Sequence, residues 1–193
     1  MRTAWRRWAL MMIVVAAVVA AASPAAAAEL EKKSWEVGAY LVGSNYANGS
    51  TISDTFAWGV RGGFIGTPRH EVEFTFELQS ADHATKGSDV TYDITKWTIN
   101  YVYNTKVKKP ESKLIPLLLF GAGTMSYDGG GESESTTILQ AGGGVRVLFT
   151  KKFGMRFDAK IWHFRGDGEV IPSDSYFAFD MTVGVSYLFG GGA

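Results

Sequence analysis

The chain has 193 residues, nineteen Lys and Arg against nineteen Asp and Glu, 13% aromatic residues, 23 glycines and only five prolines. This size suits one domain, and richness in glycine and aromatics with little proline suits strands and turns better than long helices. Cysteine is absent, which excludes a disulfide framework, a thiolate metal site and a lipid-modified cysteine anchor.

The first element in chain order has the three parts of an export signal: Arg2, Arg6 and Arg7, an apolar run from Trp8 to Ala22, then small residues ending Ala26-Ala27-Ala28. The apolar run stops at Ser23-Pro24, short of the roughly 20 residues that cross hydrocarbon as a helix. The expectation is a signal peptide over residues 1–28, cleaved before Glu29, and one domain over 29–193. Without the three signal arginines, the rest carries sixteen cations against nineteen acids. That balance argues against a nucleic-acid partner, which would call for a basic stripe.

Beyond the signal, apolar and polar residues alternate with period two, the signature of strands. Eight segments are expected: Trp35 to Val42, Phe56 to Ile65, Glu71 to Leu78, Lys96 to Tyr103, Leu114 to Met125, Leu139 to Phe149, Met155 to Ile161 and Phe177 to Phe189. Alternation is clearest in the last, where Phe177, Phe179, Met181, Val183, Val185, Tyr187 and Phe189 share one face, and Ala178, Asp180, Thr182, Gly184, Ser186 and Leu188 the other. In the fifth, Leu117-Leu118-Leu119-Phe120 is apolar on both parities, so its faces stay open. Pro116 near its start suits a strand end or a disturbed ladder.

Long connectors at Ser44–Asp54, Ser80–Asp89, Asp128–Ser135 and Arg165–Ser175 alternate with shorter ones at Gly66–Arg69, Thr105–Ser112 and Thr150–Lys152. This rhythm predicts an all-β, eight-stranded antiparallel up-and-down barrel, with both termini on the short-turn side. The long connectors hold mostly acids, Asp54, Asp82, Asp89, Asp128, Glu132, Glu134, Asp167, Glu169 and Asp174. The short ones hold mostly bases, Arg69, Lys106, Lys108, Lys109, Lys113, Lys151 and Lys152.

Period two does not say which face points inward, and a soluble lipocalin-like carrier would place its apolar side chains inside. Two features favour a transmembrane barrel. Aromatics gather near strand ends (Trp35, Trp58, Trp97, Tyr101, Tyr103, Phe177, Phe179, Tyr187, Phe189), where interfacial girdles belong. The polar face mixes glycines (Gly38, Gly59, Gly63, Gly142, Gly144, Gly184) with long charged side chains, as a narrow lumen requires. On this parity the lumen holds Glu36, Glu71, Glu73, Glu77, Asp158 and Asp180 facing Arg61, Lys96, Arg146, Arg156 and Lys160. A salt-bridged plug is expected, since internal charges must be paired to be tolerated.

Thr182, Gly184, Tyr187 and Phe189 occupy the positions of the C-terminal assembly signal of outer membrane barrels. Together with Pro116 and Gly121-Ala122-Gly123, they make the stretch from Trp35 to Phe189 resemble the small outer membrane β-barrel family typified by the transmembrane domain of outer membrane protein A. The chain departs from that pattern by continuing through Gly190-Gly191-Gly192-Ala193. The resemblance implies a Gram-negative outer membrane location, with outer membrane lipids and the barrel assembly machinery as partners. The implied role is structural or interactive, the acidic loops facing an external partner, with no cofactor.

An enzymatic reading, lipid A hydrolysis, rests on His163, which resembles the histidine of lipid A deacylase barrels. The serine that follows in that family is here Phe164. Ser173, Ser175, Asp167 and Glu169 supply the residue types of a triad, but a triad is defined by geometry. A small-solute channel is the other alternative. His70, His83 and His163 lack metal-ligand spacing, so no metal is expected. Arg165-Gly166-Asp167 spells an adhesion tripeptide from residues common in turns.

Overall fold

The structure is a computed structural model that describes residues 30–46, 55–82, 91–105, 113–129, 131–165 and 175–191. The expected signal peptide lies outside these residues, as do most long-connector acids and the turn lysines Lys106, Lys108 and Lys109.

Eight strands follow in chain order: β1 (Ser34–Tyr46), β2 (Thr55–Thr67), β3 (His70–Asp82), β4 (Thr91–Asn104), β5 (Leu114–Gly129), β6 (Glu132–Leu148), β7 (Phe153–Arg165) and β8 (Ser175–Gly190). Each pairs antiparallel with the next, and β1 pairs with β8 from Ser34↔Gly190 to Tyr46↔Ala178, which closes the barrel. Closure leaves no sheet edge around the wall, so backbone N–H and C=O groups bond strand to strand without water.

The apolar face points outward. Trp35, Leu41, Trp58, Val72, Phe74, Ile99, Leu118, Phe120, Ile161 and Phe177 are all about half exposed, while Glu71, Glu73, Thr75, Glu77 and Gln79 on β3 are buried. An apolar belt around the whole circumference is far larger than the few hundred Å² a soluble monomer exposes, so its solvent is lipid. This inversion removes the lipocalin-like alternative, which needs apolar side chains inside. It also settles the fifth strand: Leu117 and Leu119 point in, Leu118 and Phe120 out.

Turn chemistry sets the short-turn end. Thr67 Oγ1 accepts from the backbone N–H of Arg69 and His70, and Thr150 Oγ1 from those of Lys152 and Phe153. Each hydroxyl satisfies donors that the strand ladder has released. At the loop end strands run past their expected bounds, as at Ser44–Tyr46, Ser80–Asp82 and Thr91–Thr95, and one expected loop is a hairpin. Asp128–Ser135 is not a long connector, because β5 and β6 stay paired down to Gly129↔Glu132, and Gly131 turns the chain at φ 89°. Glycines supply the positive φ that a tight hairpin needs. Ser126 and Ser135 bond across the pair, so the polar sequence here is strand. Glu134 is accordingly no loop acid. It lies on the inward face of β6 and is buried.

Candidate functional site

The lumen is layered along the barrel axis. At the turn end, Leu30 folds into the bore against Ile65, Ile115, Leu148 and Leu188. At the loop end a larger cluster fills the bore, built around Tyr46, Tyr92, Met125, Tyr127, Trp162, Phe164 and Tyr176. Between these apolar caps lie the eleven charged residues that the parity reading placed inside, all buried.

Their ion pairs sort them into three tiers. Nearest the loop end, Lys96 Nζ lies 2.5 Å from Glu77 and 2.8 Å from Asp180, and Lys160 Nζ lies 3.1 Å from Glu77. Ser44 and Tyr40 donate to Asp180 and Glu77, and the Lys96 ammonium sits 4.7 Å from the Trp162 ring centroid. In the middle, Arg156 pairs with Glu73 at 2.5 Å and Asp158 at 2.8 Å, while Arg61 reaches Asp158 at 3.2 Å and Glu73 at 3.7 Å. Thr182 donates to Asp158 and Asn100 to Glu73. Nearest the turn end, Arg146 Nη2 bridges Glu36 at 2.5 Å and Glu71 at 2.9 Å, and Nη1 donates to Asn104.

The loop-end and middle tiers each balance two cations with two carboxylates. Such pairing makes buried charge tolerable, because unpaired ions in low dielectric cost several kcal/mol each. The middle tier surrounds a cavity of about 10 Å³, lined by Tyr40, Arg61, Glu73, Arg156, Asp158 and Thr182 among others. That is room for about one water molecule.

Two luminal glycines show how the tiers fit. A Cβ at Gly59 would stand 2.7 Å from the Tyr40 ring, and one at Gly184 would stand 2.5 Å from Tyr40 Cβ. Both positions stay bare so that Tyr40 can cross the bore and carry Arg61 over its face, 4.5 Å from the ring centroid. The sequence reading missed Tyr40 and the uncharged hydrogen-bonding residues Ser44, Thr98, Asn100 and Gln140. It also missed both apolar caps. Extending the lumen parity along each strand finds them: Trp162 and Phe164 continue the series Arg156, Asp158, Lys160.

The four residues matching the assembly signal divide by parity. Thr182 and Gly184 face the lumen, whereas Tyr187 and Phe189 lie outside at the turn end, their rings stacked 6.2 Å apart. His163 also faces outward, against Phe177 at 5.0 Å. Ser175 is opposite Arg165 on the neighbouring strand, while Ser173, Asp167, Glu169, Gly166 and His83 lie outside the described residues. Among the described residues, no group of three or more His, Asp or Glu is placed to hold a metal ion.

A family model described as outer membrane protein beta-barrel domain matches residues 13–189. Among solved structures, the chain is similar to Neisserial surface protein A, at 14% identity and TM-score 0.57, covering 81% of this chain and 96% of that one. The outer membrane protein OprG of Pseudomonas aeruginosa is similar at 10% identity and TM-score 0.56, over 83% and 98% of the two chains. The N-terminal β-barrel domain of OprF from the same organism is similar at 16% identity and TM-score 0.55, over 82% and 99%. No curated protein matches.

Proposed function

Because the chain belongs to the outer membrane protein beta-barrel domain family, we propose that it serves the outer membrane as a closed, non-enzymatic barrel. Residues 1–28 direct export and are removed before Glu29. The barrel assembly machinery reads Thr182, Gly184, Tyr187 and Phe189, and the short-turn end comes to rest on the periplasmic side. There the exposed Lys32, Lys33, Lys151 and Lys152 meet anionic headgroups of the inner leaflet. The opposite end presents exposed Asp82 and Asp128, and the connector acids beyond them, to an external partner.

The observation that carries this reading is the doubly capped lumen, with ion-paired tiers between two apolar clusters. Ions crossing such a bore would have to pass both clusters of close-packed apolar and aromatic side chains. A catalytic reading has less support, since His163 lies on the outward face and packs against the Phe177 ring. Purified protein in planar bilayers should give no steady, ion-selective conductance, and a reproducible open channel from the unmodified chain would refute the closed lumen. Replacing Trp162 by alanine thins the loop-end cap, so brief openings are expected in that variant first.

A further inference from the structure

The three charged tiers hold six carboxylates, Glu36, Glu71, Glu73, Glu77, Asp158 and Asp180, against five cations, Arg61, Lys96, Arg146, Arg156 and Lys160. The ion pairs place the excess carboxylate in the turn-end tier, where Glu36 and Glu71 both converge on the single Nη2 of Arg146. Buried polar atoms without a hydrogen bond here include Glu36 Oε1, Glu71 Oε1, Arg146 Nε and Asn104 Nδ2, and the other two tiers hold Arg61 Nε, Arg156 Nη2 and Glu77 Oε2. The two carboxyl groups flank Gly63. Glu36 is its cross-strand partner, and Glu71 Oε1 lies 2.5 Å from where a Gly63 Cβ would stand.

Two anions on one guanidinium, sealed behind Leu30, leave one negative charge uncompensated in a low dielectric. Among the described residues, no cation other than Arg146 forms an ion pair in this tier. From β1 comes Glu36, from β3 Glu73, from β4 Asn104, from β6 Arg146 and from β8 Ser186. Arg156 on β7 is engaged by Glu73 and Asp158, and Arg61 on β2 by the same two carboxylates. One added hydrogen on either carboxyl would neutralise the excess.

We propose that the turn-end tier is a proton-binding site, in which Glu36 and Glu71 share one proton carried mainly on Glu71. Glu71 is the carrier because Arg146 holds Glu36 more closely, at 2.5 Å against 2.9 Å. The proton comes from solvent as the barrel closes and returns to solvent on unfolding. Folding at neutral pH therefore takes up a proton, and the stability due to this tier falls as pH rises.

Two measurements on the folded, full-length mature protein test this. Infrared spectra at neutral pH should show a protonated-carboxyl band that Glu71→Gln removes and Glu73→Gln keeps. Absence of the band in the unmodified protein overturns the proposal without any variant. In urea unfolding, Glu71→Gln, which mimics a protonated carboxyl, should hold or raise the midpoint and flatten its decline at alkaline pH. Glu73→Gln, which breaks a balanced tier, should lower the midpoint. Equal losses in the two variants would mean that Glu71 is an ordinary ion-pair partner and would overturn the assignment. Neither measurement depends on the proposed cellular role.

Discussion

At the scale of single residues, the lumen and the rim obey different electrostatics. Arg156 is fully enclosed and holds both Glu73 and Asp158. Truncation to alanine strands two carboxylates in a dry bore, which costs about 3–5 kcal/mol. Asp128, at the exposed end of β5, has water within reach, and exposed pairs contribute about 0–1 kcal/mol. Urea unfolding in detergent micelles should therefore show a large loss of stability for Arg156→Ala and little change for Asp128→Ala. Comparable losses would mean that water reaches the middle tier. Parity made these charges legible as lumen residues, since each alternates with an apolar neighbour on its strand. Their partners were not, because which carboxylate an arginine reaches depends on strand stagger around the barrel.

At the scale of elements, the β5–β6 hairpin and β8 carry the sharpest expectations. Gly131 has open space where a Cβ would lie, yet its φ is 89°. Gly131→Ala should therefore act through backbone strain alone, at roughly 1–2 kcal/mol. Asn, which tolerates positive φ better, should lose less, and the order of unfolding midpoints in glycine, asparagine and alanine variants checks this. On β8, Phe189 and Phe177 share the lipid face at opposite ends, 41% and 57% exposed. Burial energetics alone predict similar losses on truncation, each up to a few kcal/mol. An assembly signal at Phe189 predicts a larger drop in membrane-inserted yield for Phe189→Ala than for Phe177→Ala, and equal yields would remove that role. The strands themselves were legible from alternation, but their ends were not. At the loop end of β6 both faces become polar, and a polar strand such as 132–137 reads like a loop.

At the scale of the whole molecule, the barrel is a single cooperative object. Its strands pair only with their neighbours, and β1 pairs with β8 across the full length of the chain. Removing one strand exposes two ladders to lipid, where unsatisfied backbone groups cost several kcal/mol each. The mature protein should consequently stay folded in cold detergent and change its gel mobility only after boiling. Identical mobility of boiled and unboiled samples from a membrane fraction would contradict a closed barrel. The family and the three similar structures agree with this architecture, and their identities of 10–16% speak for the fold alone.

By itself the sequence determined the period, the strand number and the parity of the charges. These are local properties, set by which side chains suit lipid and which do not. Tertiary structure alone decided how the bore is filled. Leu117 and Leu119 could have taken either face until closure assigned Leu118 and Phe120 to the lipid. The caps assemble from separate strands: Leu30 meets Leu188, and Tyr46 meets Trp162 edge-on at 5.6 Å. The excess carboxylate shared by Glu36 and Glu71 emerges only when three strands converge on Arg146. The physical reason is that period two fixes which side of a strand a residue occupies. What it meets across the lumen depends on how far each strand is shifted along its neighbours when the barrel closes.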